Sequence, residues 1–213
     1  MYLDKKAIKN KPRIERINLI NSLTGIKPGN LVGTKSIKTG SNLAVFSSII
    51  HLGSFPPLLG FILRPSDEVR RNTFENILEN GYYTINHIPI HKTENAHYTS
   101  AKFDANSNEF EICDFEEEYL NEFYAPYVKE SSIKIGMKYI ESIPIHLNNT
   151  TLVIGEIEEI HIPDEHINYA GQIDLESSKS TGISGLNTYY GLKKINSYPY
   201  ARVNEVPKFK KQK

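Results

Sequence analysis

Between Ile133 and Ile162 the chain carries two long runs of alternating apolar and polar residues. Ile133, Ile135, Met137 and Tyr139 stand at every second position, and Ile143, Ile145 and Leu147 resume the pattern. Asn148-Asn149 marks a turn, and Leu152 to Ile162 alternates back until Pro163 ends it. Successive side chains on a strand point to opposite faces, so a period of two predicts a long antiparallel hairpin.

Shorter strands are expected upstream. Leu31 to Ile37 is one; Thr39-Gly40 then signals a turn into a second, Asn42 to Ile50. Ile17-Asn-Leu19 also alternates. Leu58 to Leu63 is continuously apolar, as expected of a strand buried on both faces, and Tyr82 to Asn86 is another strand. One helix stands out: Asn72 as its cap, Glu75 three residues later, Phe74, Ile77 and Leu78 on one face, and Gly81 just past its end. Thr93 to Lys102 and Glu116 to Tyr124 carry shorter helical patterns. Many strands with few helices predict a mainly β fold with α insertions, an antiparallel barrel closed or nearly so.

Composition narrows the partners. Lys plus Arg and Asp plus Glu both total 25, so the formal net charge is zero. That argues against a nucleic-acid binder and removes one deterrent to self-association. No apolar run approaches the ~20 residues that span a bilayer, so no membrane partner is expected. The first residues are basic without an apolar stretch, which predicts a cytoplasmic protein. The single cysteine, Cys113, cannot form an internal disulfide, and its acidic neighbours would raise its pKa, so it reads as a core residue. The organisation expected is a basic arm over 1–15, one domain over 16–205 and a basic tail over 206–213.

Two segments carry chemistry. In Val69 to Asn76, Arg70 and Arg71 precede a helix start and Thr73 adds a hydroxyl. The first turn of a helix has free N–H groups and the positive end of the dipole, so this is a recipe for a phosphate. A capped surface helix with solvated arginines satisfies the same residues. Gly40 to Ser48 is rich in small and hydroxyl side chains, with Asn42, Ser47 and Ser48 as donors, and lets a flat ligand approach the backbone. Arg64 ends the next apolar run and can pair with a phosphate or a carbonyl. His87, His91 and His97 lie close in sequence, but Pro89 breaks any common helix and the spacing is not that of a metal site. No catalytic triad or phosphate-binding glycine loop is present.

In order, Asn42-Leu-Ala-Val-Phe-Ser-Ser48, Phe55-Pro-Pro57 leading into Gly60-Phe-Ile-Leu-Arg64, Asn72-Thr-Phe-Glu-Asn-Ile77 and Gly81-Tyr-Tyr-Thr-Ile-Asn86 resemble the core of the flavin-reductase-like family. The likeness runs from about Val32 to Phe110, and Ser184 to Tyr190 resembles that family's closing Gly-x-x-Tyr element. Arg71-Asn72 stands where many relatives carry Lys-Asp. The resemblance implies an antiparallel Greek-key split β-barrel of the FMN-binding type, working as a homodimer with flavin near the subunit interface. By that likeness Asn42, Ala44, Phe46, Ser47 and Ser48 would line the flavin, Arg64 would approach the ribityl phosphate, and Arg71 and Thr73 would hold the phosphate. Asn76 belongs to the same motif but points further along the helix, and His97 lies in the segment that covers flavin in relatives. The activity implied is an NAD(P)H-dependent flavin reductase: an oxidoreductase with FMN, or FAD in its place, taking hydride from NADH or NADPH and passing electrons to a small molecule or a partner acceptor. No side-chain catalyst is implied. The alternatives are a non-catalytic flavin or electron carrier on the same fold, or an interaction module without flavin.

Overall fold

The computed structural model describes residues 1–65, 72–104 and 107–209. Two helices open the chain, α1 (Lys5–Asn10) and α2 (Arg13–Ser22). Then come β1 (Lys27–Pro28), β2 (Asn30–Ser36), β3 (Gly40–Phe46), β4 (Ile50–Ser54) and β5 (Pro57–Leu63). Helix α3 (Asn72–Asn80), β6 (Tyr82–His87), α4 (Thr93–Tyr98) and α5 (Glu109–Ile112) follow. The remaining strands are β7 (Glu117–Glu118), β8 (Tyr127–Val128), β9 (Lys134–Ile145), β10 (Thr150–His161), β11 (Thr181–Ser184) and β12 (Thr188–Gly191).

Seven strands form one antiparallel sheet in the order β3-β2-β6-β9-β10-β5-β4. The predicted long hairpin is β9 and β10, turning at Asn148-Asn149, where Asn149 takes a positive φ of 56°. The outermost strands, β3 and β4, are joined by only Ser47 to Ile49, so the sheet must curl until its edges meet. Ser48 fastens that closure: its hydroxyl accepts from the Ile62 N–H at 3.1 Å and donates to the Ile62 carbonyl at 3.2 Å. Phe46 of β3 packs edge-on against Phe61 of β5, with ring centroids 4.9 Å apart. Phe61 in turn meets Tyr83 of β6 at 5.9 Å, across the barrel interior.

Alternation divides the core in two. Val32, Phe61, Leu63, Ile77, Tyr83, Ile85, Met137 and Val153 fill the barrel. Leu31 and Leu43, the opposite-facing residues of β2 and β3, lie under an outer layer built from Ala96, Phe110, Cys113, Phe115, Val128 and Ile183. Cys113 is therefore a buried core residue, and burial together with nearby Glu109 raises its pKa. The smaller sheet β1-β11-β12 extends this outer layer.

Five local expectations are corrected. The strand expected over Asn42 to Ile50 breaks at Ser47 to Ile49, between β3 and β4. Ile17 to Leu19 is not strand but part of α2; Ile14, Ile17 and Ile20 also fit the helical spacing. The basic arm is accordingly helical, though none of its helical residues is buried. Glu116 to Tyr124 is not a helix: Glu117–Glu118 pairs with β8, and Asn121 and Glu122 adopt positive φ. The Leu58 to Leu63 run is buried on one face only. Phe61 and Leu63 point inward, whereas Leu58 and Ile62 remain half-exposed.

Candidate flavin site

The site grows from β3. Period two puts Asn42, Ala44 and Phe46 on one face of that strand and Leu43 and Val45 on the other. Helix α3 lies against the first of these faces. It begins at Asn72 itself, and Gly81, at φ 83°, closes it by donating its N–H to Ile77 O at 2.8 Å. Thr73 and Asn76 are both buried at the sheet contact. Asn76 donates to Thr34 Oγ1 at 3.1 Å and so ties the helix to β2.

Thr73 is placed differently. Its Oγ1 accepts a hydrogen bond from Asn42 Nδ2 at 3.1 Å. An oxygen that accepts from an amide keeps its own proton for another acceptor. Thr73 is the second residue of α3, in the turn where a helix leaves its backbone N–H groups without intrahelical partners. Arg70 and Arg71, the cations expected there, lie outside the described residues.

Along the strand, Ala44 is half-buried and presents only a methyl group, leaving the backbone approachable. Ser47 is half-buried in the link. Ser48 and Phe46 are held within the fold, Ser48 on the backbone of Ile62 and Phe46 against the Phe61 ring. Arg64 is exposed just past β5. A second cation that feels its charge is Lys27, which sequence reasoning missed. Lys27 Nζ donates to the carbonyls of Asn21 at 3.2 Å and Gly185 at 2.8 Å. Burial, then the charge of Arg64, lowers its pKa. A single lysine before Pro28 carries no motif, so nothing in the sequence could have flagged it.

The three histidines part company. His91 is exposed. His97 Nδ1 lies 3.5 Å from Tyr189 Oη, which joins α4 to the closing β-hairpin. His87 Nδ1 contacts Ser180 Oγ at 3.1 Å, and desolvation pushes its pKa down to about 4. Its folded pKa lies below its unfolded one, so the stability it contributes is present above the ordinary histidine range and lost as pH falls toward 4. Melting curves should show a loss on the order of 2–3 kcal/mol between pH 7 and 4, flattened in His87→Gln.

A curled seven-stranded antiparallel sheet with helix α3 packed against its small-residue strand is the architecture of a split barrel. The chain belongs to the family described as flavin reductase like domain, which matches residues 26–173. The split-barrel protein of the flavin-reductase type from Shewanella frigidimarina NCIMB 400 is 43% identical, with a TM-score of 0.90 over 94% of this chain and 100% of that one. Component B of nitrilotriacetate monooxygenase from Bacillus cereus shares the fold at 18% identity and TM-score 0.81, covering 93% and 98% of the two chains. The FMN-binding protein of Thermus thermophilus shares it at 13% identity and TM-score 0.70, covering 84% and 93%. Among the described residues, no helix is long and apolar enough to cross a membrane.

Proposed function

We propose that this chain is an FMN-binding oxidoreductase that takes hydride from NADH or NADPH and passes electrons to a further acceptor. The observation that carries it is the Asn42–Thr73 pair: a hydroxyl oriented by a buried amide, with no acceptor for its proton among the described residues, at a helix N-terminus. With the open floor at Ala44 and the exposed cation Arg64, these residues fit a planar ligand bearing a phosphate. When bound, FMN supplies the hydride-accepting chemistry. Thr73, the α3 backbone and Arg71 would hold the phosphate, Ala44 and Ser47 would give the ring system a close seat, and Phe46 would keep water out from the barrel side.

We also read the working unit as a homodimer. The outer side of β4, β5, β9 and β10 carries Ile50, Leu58, Ile62, Ile143, Leu152 and Ile154, by their register. Ile50, Leu52 and Ile143 are each 40–45% exposed. Among the described residues no helix covers this face, and an apolar sheet face of this kind marks an interaction surface.

Titration with FMN, read at 450 nm and by fluorescence quenching, tests the cofactor. Thr73→Val should weaken binding roughly five- to tenfold, and Arg71→Ala by about 1.5–3 kcal/mol. No binding by the unaltered protein would sink the reading. Bleaching of bound FMN on adding NADH or NADPH is the expected sign of turnover, and its absence with both would leave a carrier.

A further inference from the structure

We infer that residues 192–209 form an arm that crosses to a second copy of this chain and lies along that copy's β9–β10 hairpin. The inference deepens the homodimer reading and rests on it. Past Gly191 the arm has no strand, and its one helical element is a single 3-10 turn at Val203–Glu205. Ile195, Tyr198, Tyr200, Val203, Val206 and Phe209 are 62–99% exposed. Beyond Lys194, which reaches Glu176 and Asp174, every hydrogen bond and ion pair described for the arm stays within it. Six apolar side chains on one short stretch thus stay mostly uncovered among the described residues.

Area, charge and continuity point to a second copy. An aromatic side chain buries roughly 150–250 Å², so Tyr198, Tyr200 and Phe209 alone approach the ~800 Å² that each partner contributes to a standard interface. Pro199 and Pro207 restrict the arm's backbone, which lowers the entropy lost on docking. From 193 to 209 the arm carries Lys193, Lys194, Arg202 and Lys208 against Glu205 alone. On the hairpin Lys134 is paired with Glu118 and Glu159 is bonded to Tyr127 and His161, which leaves Glu141, Glu156 and Glu158 against Lys138. One chain therefore holds a basic apolar arm and an acidic apolar surface, and a two-fold pairing satisfies both at once. On the hairpin, Ile140, Ile143 and the fully exposed Leu147 continue the uncovered sheet face. The arm thus extends the dimer contact to the hairpin tip.

Sedimentation of the full chain, of a chain ending at Gly191, and of a full-length Tyr198→Ser/Tyr200→Ser/Phe209→Ser variant tests this. The full chain should sediment at twice its 24.3 kDa mass. Both altered proteins should dissociate at least roughly tenfold more readily, and retained FMN binding would show that they fold. A monomeric full chain overturns the dimer and the arm together. A dimer whose dissociation constant is the same without the arm overturns the arm alone. Mixing Tyr200→Cys with Leu147→Cys should give a disulfide between copies under mild oxidation. Failure to cross-link overturns the hairpin as the landing surface.

Discussion

Gly155→Ala is expected to destabilise the protein by about 3 kcal/mol or more, lowering the melting temperature by roughly 6–12 °C. Gly155 is buried in β10 opposite Tyr139. A methyl group there would run into the Tyr83 hydroxyl and stand 3.0 Å from both Tyr83 Cζ and the Lys138 carbonyl oxygen. None of these can give way cheaply. Tyr83 is fully buried against Phe61, and the carbonyl belongs to the neighbouring strand of the ladder. The Tyr83 hydroxyl is itself buried without a hydrogen-bond partner among the described residues. Removing an unsatisfied group costs little, so Tyr83→Phe alone should be neutral or stabilising. In that background Gly155→Ala should cost less, though not nothing, because the ring carbon and the carbonyl remain. Urea unfolding of the four proteins gives the coupling directly, and equal costs in both backgrounds would clear the hydroxyl of blame.

Asn86→Leu should cost about 3–4 kcal/mol, measured by the same unfolding experiment. Asn86 is completely buried. Its amide donates to Thr84 Oγ1 at 2.9 Å and to Leu31 O at 3.3 Å, and its carbonyl accepts from Val128 N at 3.1 Å. One side chain thus links β2, β6 and β8. Leucine fills a similar volume but strands the Val128 N–H in the core. Thr84 would keep its own bond to Pro126 O at 2.6 Å, which confines the damage to the Asn86 contacts. A loss below about 1 kcal/mol would mean that water or a shifted backbone replaces those bonds.

Asn86 also shows what a motif does and does not reveal. It closes the Gly81 to Asn86 segment that helped point to the family, yet its contacts are internal to the fold. Asn76 is similar, spent on Thr34. Ser48 is spent on the backbone of Ile62, whereas Thr73 accepts from Asn42 and has no acceptor for its own proton among the described residues. Residue type and spacing cannot separate these cases, because a donor that clasps two strands and one that meets a ligand follow the same pattern along the chain. Burial and partners separate them.

Secondary structure divided along the same line. Alternation over 133–162 is long enough that only a strand pair satisfies it, and Asn148-Asn149 fixed its turn. Over Ile17 to Leu19 the pattern is too short to tell a period of two from one of 3.6, and the helix won. Glu116 to Tyr124 looked helical by charge, but Ser41 donates to Glu117 at 2.7 Å and β8 pairs with the segment, so tertiary contact drew it into a strand.

The split barrel was therefore written in local periodicity and an ordered set of short motifs. Local sequence can do this because faces, turns and helix starts depend on neighbours a few positions away. What the tertiary structure decided was long-range: which face of Leu58 to Leu63 stays uncovered, that Lys27 feels the charge of Arg64, that Thr73 accepts from Asn42, and that the apolar side chains from Ile195 to Phe209 stay exposed. Each depends on groups far apart in sequence, whose meeting is set by the curl of one sheet.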